Sequence, residues 1–223
     1  LDNVRFGLDP FHQVEAFLMG LDHPRLGAGC KSLDLRLPDV PPELLQGLND
    51  PRQGKRRIVF HAAKGDPNRT WPQEHWEELG RRVLDEGHQL ILVGDGKSDP
   101  VKGVQRLGLT GAIDWVDRLK PLDLVALLRA SDVLVSTDSG PIQLAGASDV
   151  AICGIYTTVA GRCRMPFRHG QPLWGSTLLE PECSHRGCLR RVSESPYAEM
   201  HAKTLRKGGE DLDKLFATWC VEE

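Results

Sequence analysis

The chain has 223 residues, of which 40% are hydrophobic and 26% are charged, proportions typical of a globular protein and unlike those of a disordered one. No stretch approaches the ~18 uninterrupted apolar residues of a membrane-spanning helix, so we expect no membrane span. The formal net charge of -3 gives no general attraction to nucleic acid or anionic lipid, and any anion site must be a local arrangement of a few groups.

Residues 1–53 differ in composition from the rest of the chain. Apolar residues at helical spacing over 11–21 predict one amphipathic helix, and prolines around a short helix candidate at 43–48 are typical of a linker. The sequence opens on Leu1 without an initiator Met, and we expect it to begin within a longer polypeptide. We therefore interpret 1–53 as the remnant of an N-terminal domain helix followed by a linker.

From residue 54 onward, short apolar runs alternate with helical patterns. Strands are predicted at 57–61, 89–93, 132–136 and 150–155, and helices at 72–86, 121–129 and about 141–148. This alternation predicts an α/β domain over 54–190 with a doubly wound parallel sheet, followed by a helical tail over 191–223. Ligands of such sheets bind at the carboxyl ends of the strands, so functional residues are expected there.

The loop after the first predicted strand carries two cations, Lys64 and Arg69, and Pro72 marks the start of the next helix. Helix N–H groups and nearby cations suit a diphosphate. The alternative is a solvated loop whose arginine pairs with a surface carboxylate. The loop after the second strand begins at Gly94. Because glycine has no side chain, it permits a tight turn and a close approach of a ligand to the backbone.

The third loop places Asp138, Ser139 and Gly140 between a buried strand and a helix. Gly140 would open backbone N–H groups toward a phosphate, and Ser139 would cap the helix or donate directly to the ligand. The alternative is a plain capped helix start without a ligand.

These loops, taken in order, resemble the C-terminal domain of the heptosyltransferase family, glycosyltransferase family 9, of bacterial lipopolysaccharide synthesis. The family's K-x-W-P appears as RTWP at 69–72, and its leucine-rich stretch is matched by Thr110-Gly111 and residues 122–132. Its D-[ST]-G-P-x-H-L-A signature appears as DSGPIQLA at 138–145. The resemblance covers roughly residues 58–189 and implies the Rossmann-like C-terminal half of a GT-B fold.

The resemblance implies binding of a nucleotide diphosphate sugar, with ADP-heptose as the expected donor. Arg69 takes the place of the family's lysine at the phosphates, and Gln143 replaces a histidine, which removes a group that can be cationic. The expected donor-binding residues are Ala63, Lys64, Arg69, Gly94, Asp138, Ser139, Gly140 and Gln143.

The implied reaction is an inverting sugar transfer to a hydroxyl of a glycan or protein. Family members have their candidate base, an Asp, in the N-terminal domain, which this sequence does not include, and no catalytic residue is assigned here. We expect the isolated chain to bind the donor without transferring the sugar, and a companion N-terminal domain or subunit to supply the base. The alternatives are a catalytically incomplete nucleotide-sugar-binding module and another GT-B activity such as epimerisation.

Six scattered cysteines favour a reducing, cytoplasmic setting. Cys163, Cys183 and Cys188 fall where related proteins carry a cysteine-containing loop, which in autotransporter heptosyltransferases binds iron. With His169, His185 or Cys220 as a fourth ligand they predict a structural zinc or iron site, and unbonded thiols are the alternative. No cofactor is expected to be required. The histidines at 12, 23, 75, 88 and 201 are expected to be solvated.

Overall fold

A computed structural model describes residues 54–63, 70–96, 103–157, 160–171 and 173–181. The helices predicted at 11–21 and 43–48 and the tail from 191 lie outside these residues, so the predicted domain boundaries stay predictions. No helix in the described part of the chain is both long and apolar enough to cross a membrane.

Strands and helices alternate along the described residues, as predicted for an α/β domain. The strands are β1 Arg57–His61, β2 Gln89–Leu92, β3 Ile113–Asp114, β4 Val133–Thr137, β5 Ala151–Ile155 and β6 Ser176–Leu179. The helices are α1 Gln73–Asp85, α2 Pro121–Arg129 and α3 Gly140–Leu144, with 3₁₀ turns at Ala145–Ala147 and Gly161–Cys163.

The six strands form one parallel sheet in the order β3-β2-β1-β4-β5-β6. Strands β1 to β3 follow one another toward one edge, and β4 to β6 follow one another toward the other edge. The direction of winding therefore reverses between β1 and β4. In doubly wound sheets this reversal opens a crevice at the carboxyl ends of the two central strands, where ligands bind.

The two faces of the sheet are covered by separate apolar clusters. Val59 and Leu134 face one cluster, which includes the buried side of α2, whereas Phe60 and Val135 face the other, which includes Trp76 of α1. All five residues of β1 are buried, as expected for a central parallel strand covered on both faces. The apolar runs of the sequence therefore correctly predicted strands buried on both sides.

A buried arginine fixes the connection between β5 and β6. The Arg168 guanidinium donates to the backbone carbonyls of Ser148, Val150 and Gly175 and to the Ser176 hydroxyl, and it lies 5.1 Å from the Trp174 ring centroid. Burial lowers the pKa of Arg168. These bonds compensate the loss of water around the guanidinium and tie the turn before β6 to the chain that enters β5.

Three sequence predictions need correction. The helix predicted at about 141–148 ends at Leu144 and continues only as a 3₁₀ turn, and strands β3 and β6 were not predicted. β3 has only two residues, and β6 alternates half-buried and exposed positions at the sheet edge, so neither gives a long apolar run. His88 is not solvated, because its Nδ1 accepts the backbone N–H of Arg56 at 3.2 Å and its side chain is 19% exposed.

Candidate functional site

Three polar side chains meet at the switch point, between the carboxyl ends of β1 and β4. His61 Nδ1 lies 3.0 Å from Ser139 Oγ and 3.2 Å from Ser136 Oγ, and the two hydroxyl oxygens are 2.9 Å apart. Each hydroxyl oxygen also lies 2.9 Å from the carbonyl oxygen of Thr137. We call His61, Ser136 and Ser139 the switch-point cluster.

The parallel register explains this meeting. His61 and Ser136 are direct partners in the β1–β4 ladder, and side chains at paired positions project from the same face of a sheet. Ser139, three residues further on, has an extended backbone (φ -155°, ψ 173°) that returns its hydroxyl to the strand end. The cluster thus combines one long-range strand pairing with one local turn.

The switch-point cluster carries no formal charge at neutral pH. Burial lowers the pKa of His61 to about 4, because the surrounding protein cannot solvate an imidazolium as water does. A neutral imidazole nitrogen can accept from one hydroxyl or donate to it, and the Thr137 carbonyl accepts the remaining proton. The ring therefore orients two hydroxyl groups and is not a cation for a phosphate.

Ser139 occupies the residue before α3, but it does not cap the helix. Its side chain makes no capping hydrogen bond, because the hydroxyl is directed to His61, Ser136 and the Thr137 carbonyl. The expectation of a capping serine is therefore wrong for this side chain. The backbone still turns into the helix at the predicted position.

Asp138 lies beside Arg164, which comes from the turn after β5. Arg164 Nη2 is 3.5 Å from Asp138 Oδ2, and the two side chains are 29% and 11% exposed. Gln143, at the position of the family's histidine, donates from Nε2 to the Arg164 carbonyl at 2.6 Å. The three residues bring together the turns that follow β4 and β5.

The predicted glycines differ in the space around them. A Cβ on Gly140 would meet no atom of the described residues within 4 Å. Gly94 has φ +139°, and a Cβ there would lie 2.2 Å from Val104 Cγ1 and 3.0 Å from His61 Cδ2. The missing Cβ of Gly94 thus makes room for two of the protein's own side chains, and its predicted part in ligand binding stays a prediction.

Residues 21–190 match the family model described as glycosyltransferase family 9 (heptosyltransferase). The chain belongs to glycosyltransferase family 9. The family assignment from the three loop motifs is confirmed, and the matched residues include every element described above.

Two curated relatives and one solved structure illustrate the similarity to family 9. The chain is 30% identical over 113 residues to lipopolysaccharide heptosyltransferase 2 of Escherichia coli (strain K12), a match covering 48% of this chain and 32% of that protein. Lipopolysaccharide heptosyltransferase 2 of Salmonella typhimurium is 27% identical over the same length. The chain therefore spans about a third of the length of these relatives.

The solved structure supports the fold. A family 9 glycosyltransferase from Veillonella parvula DSM 2008 superimposes with a TM-score of 0.59 at 18% identity, covering 78% of this chain and 50% of that one. The predicted α/β fold class is confirmed.

Two residues that we expected to bind the donor lie outside the described part of the chain. Lys64 and Arg69 lie outside the described residues, whereas Ala63 is placed and forms an antiparallel bridge with Val104. The roles predicted for Lys64 and Arg69 stay predictions.

The cysteine site also stays a prediction. Cys183 and Cys188 lie outside the described residues, and the described structure includes only the backbone of Cys163. His169, a proposed fourth ligand, places Nε2 2.8 Å from Asp149 Oδ1. Within the described ranges no three His, Cys, Asp or Glu side chains are grouped as metal ligands would be.

Sequence reasoning missed three site residues of this family 9 chain. His61 was treated only as the last residue of the first strand, although a polar residue that ends an apolar strand indicates a strand-end site. Ser136 was treated only as the end of a strand. Arg164 gives no local signal, because its contact with Asp138 joins residues 26 positions apart.

Proposed function

We propose that this chain is the donor-binding part of an inverting glycosyltransferase that uses a nucleotide diphosphate sugar. The carrying observation is the Asp138–Ser139–Gly140 turn, which lies at the switch point of a family 9 chain and in which no described residue comes within 4 Å of a Cβ placed on Gly140. We propose ADP-heptose as the donor, in line with the heptosyltransferase names of the curated relatives. A hydroxyl of a glycan or protein would accept the sugar.

The chemistry of the leaving group supports this assignment. In an inverting transfer the bond from the sugar to the diphosphate breaks as the acceptor hydroxyl attacks, and negative charge grows on the phosphate oxygens. Fixed donors and cations that face this charge lower the barrier. Backbone N–H groups of the 138–140 turn, together with Arg69 and Lys64, would supply them. The acceptor's proton would pass to a base in a companion N-terminal domain or subunit, with the reaction taking place in the cytoplasm.

A bound donor should stabilise the domain against heat. At about 100 times its dissociation constant, a ligand that binds only the folded state adds about 2.7 kcal/mol to the free energy of unfolding. We expect ADP-heptose to raise the melting temperature in differential scanning fluorimetry with a panel of ADP-, GDP- and UDP-sugars. A panel without any shift would contradict a donor site.

Gly140→Ala provides a matched variant for this measurement. Its new methyl group would meet no atom of the structurally described part of the chain within 4 Å, so the melting temperature without ligand should stay within a few degrees of wild type. The shift produced by the donor should shrink, because the methyl group occupies space that the diphosphate would enter. An undiminished shift would place the diphosphate elsewhere.

Arg69→Ala should weaken nucleotide-sugar binding far more than Lys97→Ala. Arg69 stands at the family's phosphate-binding position, and a charge-assisted hydrogen bond contributes about 1.5–3 kcal/mol. Lys97 follows Gly94 by three positions in a segment for which the sequence gives only a weak signal. Isothermal titration calorimetry with ADP-heptose measures both variants. Equal affinities for wild type and Arg69→Ala would show that the phosphates do not bind at this loop.

A further inference from the structure

The turn that carries Arg164 is fixed to the domain on both sides. The Gly161 N–H donates to Glu180 Oε1 at 2.6 Å, and the backbone N–H groups of Arg164 and Met165 both donate to the Gly161 carbonyl. The Met165 side chain is fully buried in the apolar cluster that also contains Tyr156. Arg164 therefore projects from an ordered turn and is not carried by a free surface loop.

From this turn Arg164 reaches the strand end that the proposed function uses. Its Nη2 lies 3.5 Å from Asp138 Oδ2, at the long limit of a hydrogen bond, and its side chain keeps 29% of its surface exposed. A guanidinium presents its N–H donors in a planar fork whose geometry matches two phosphate oxygens.

We propose that Arg164 is a diphosphate-binding cation of the donor site and that Gln143 is the residue that positions it. This inference rests on the proposed function, and it adds a binding residue from the turn after β5 to those after β1 and β4. A diphosphate that lies over the 138–140 turn would come within reach of the Arg164 fork, and the fork would bind two phosphate oxygens in parallel.

Gln143 is the position at which the sequence departs from the family motif, and its side chain contacts the turn that carries Arg164. At a position where the family has a histidine, the neutral amide donates to the Arg164 carbonyl at 2.6 Å. The amide cannot supply a positive charge, but its hydrogen bond fixes the backbone of a residue that does. The charge that the histidine could carry is thus supplied by Arg164.

Isothermal titration calorimetry of Arg164→Met tests the assignment. The ligands are ADP, GDP and UDP, each compared with its nucleoside, which has the same base and ribose but no phosphate. For the diphosphate that wild type binds most tightly, we expect an affinity loss of about 10- to 100-fold, as for a lost charge-assisted pair. Affinity for the nucleoside should not change.

Two further variants separate binding from structure. Arg129→Met removes an exposed arginine at the end of α2, which leads into the opposite end of β4, and should leave diphosphate affinity unchanged. Gln143→Leu should weaken diphosphate binding in the wild-type background but not in Arg164→Met, because it acts through the position of Arg164. Arg164→Lys keeps the charge without the fork and should show an intermediate loss, which also provides a measurement if Arg164→Met does not fold.

The outcomes distinguish this inference from the proposed function. If wild type binds none of the three diphosphates, the proposed donor site itself fails. If wild type binds one of them and Arg164→Met binds it equally well, the donor site stands and the assignment of Arg164 is wrong. Equal losses for the diphosphate and its nucleoside would mean that Arg164 only maintains the shape of the site, which also overturns the assignment.

Discussion

Gly94→Ala should lower the free energy of unfolding by about 2–6 kcal/mol. The residue has φ +139°, a region that side-chain-bearing residues rarely adopt, and strain of this kind costs about 1–3 kcal/mol. The new Cβ would also lie 2.2 Å from Val104 Cγ1 and 3.0 Å from the His61 ring, and forcing such neighbours apart costs a further 1–3 kcal/mol or so. Urea denaturation followed by circular dichroism measures the difference.

Gly108→Ala is the control for this substitution. Among the described residues no atom would lie within 4 Å of a Cβ on Gly108, and its backbone is not in the left-handed region, so stability should change by less than about 1 kcal/mol. Equal stability of the two variants would contradict the backbone conformation and the close contacts of Gly94 described above.

His61 should make the stability of the domain depend on pH below neutrality. The unfolded chain protonates His61 as the pH falls through 6.5, whereas the folded protein resists protonation until the pKa of about 4 is reached. The unfolded state therefore binds more protons in this window. The stability that depends on a neutral His61 is fully present above pH 6.5 and is lost as the pH falls toward 4, by roughly 3 kcal/mol.

The comparison of wild type with His61→Asn isolates this contribution from that of other titrating groups. Asparagine can replace the hydrogen bonds of Nδ1 without titrating. The free energy of unfolding of the His61→Asn variant, measured in urea, should therefore fall less steeply than that of wild type between about pH 7 and about pH 4.5. His75→Asn, at an exposed position of α1, is the control and should follow wild type. Parallel curves for wild type and His61→Asn would show that His61 is solvated in the folded protein.

The central elements of this fold were predictable because their signals are local. A buried parallel strand is a short apolar run, and β1 and α2 were predicted with their observed bounds. The end of α3 at Leu144 was not predictable in the same way. It depends on the tertiary packing of the 145–147 turn, in which Ala145 is buried in an apolar cluster. Edge strands such as β6 expose alternate side chains and so resemble ordinary surface segments.

The site was predictable only to the level of the loops. Strand-end motifs located Asp138, Ser139 and Gly140, but not the direction of the Ser139 hydroxyl, which depends on His61, 78 positions away. These two residues meet because β1 and β4 are neighbours in the sheet. The order of strands in a sheet cannot be read from a local sequence pattern. The same limit applies to Arg164, since only the folded domain brings the turn after β5 to Asp138.

The crevice has a buried floor, formed by the uncharged switch-point cluster, and a partly exposed rim. The floor and the rim differ in how they interact with a ligand. The floor consists of an uncharged imidazole and two hydroxyls. Changes in salt concentration barely alter the strength of the hydrogen bonds that these groups form. Among the described residues at this crevice, the formal charges belong to the rim, where Asp138 and Arg164 lie partly exposed and are therefore open to screening by salt. Substitutions at the rim can retune the recognition of an anionic ligand while the hydrogen-bonded floor, and the strand pairing that creates it, stay unchanged.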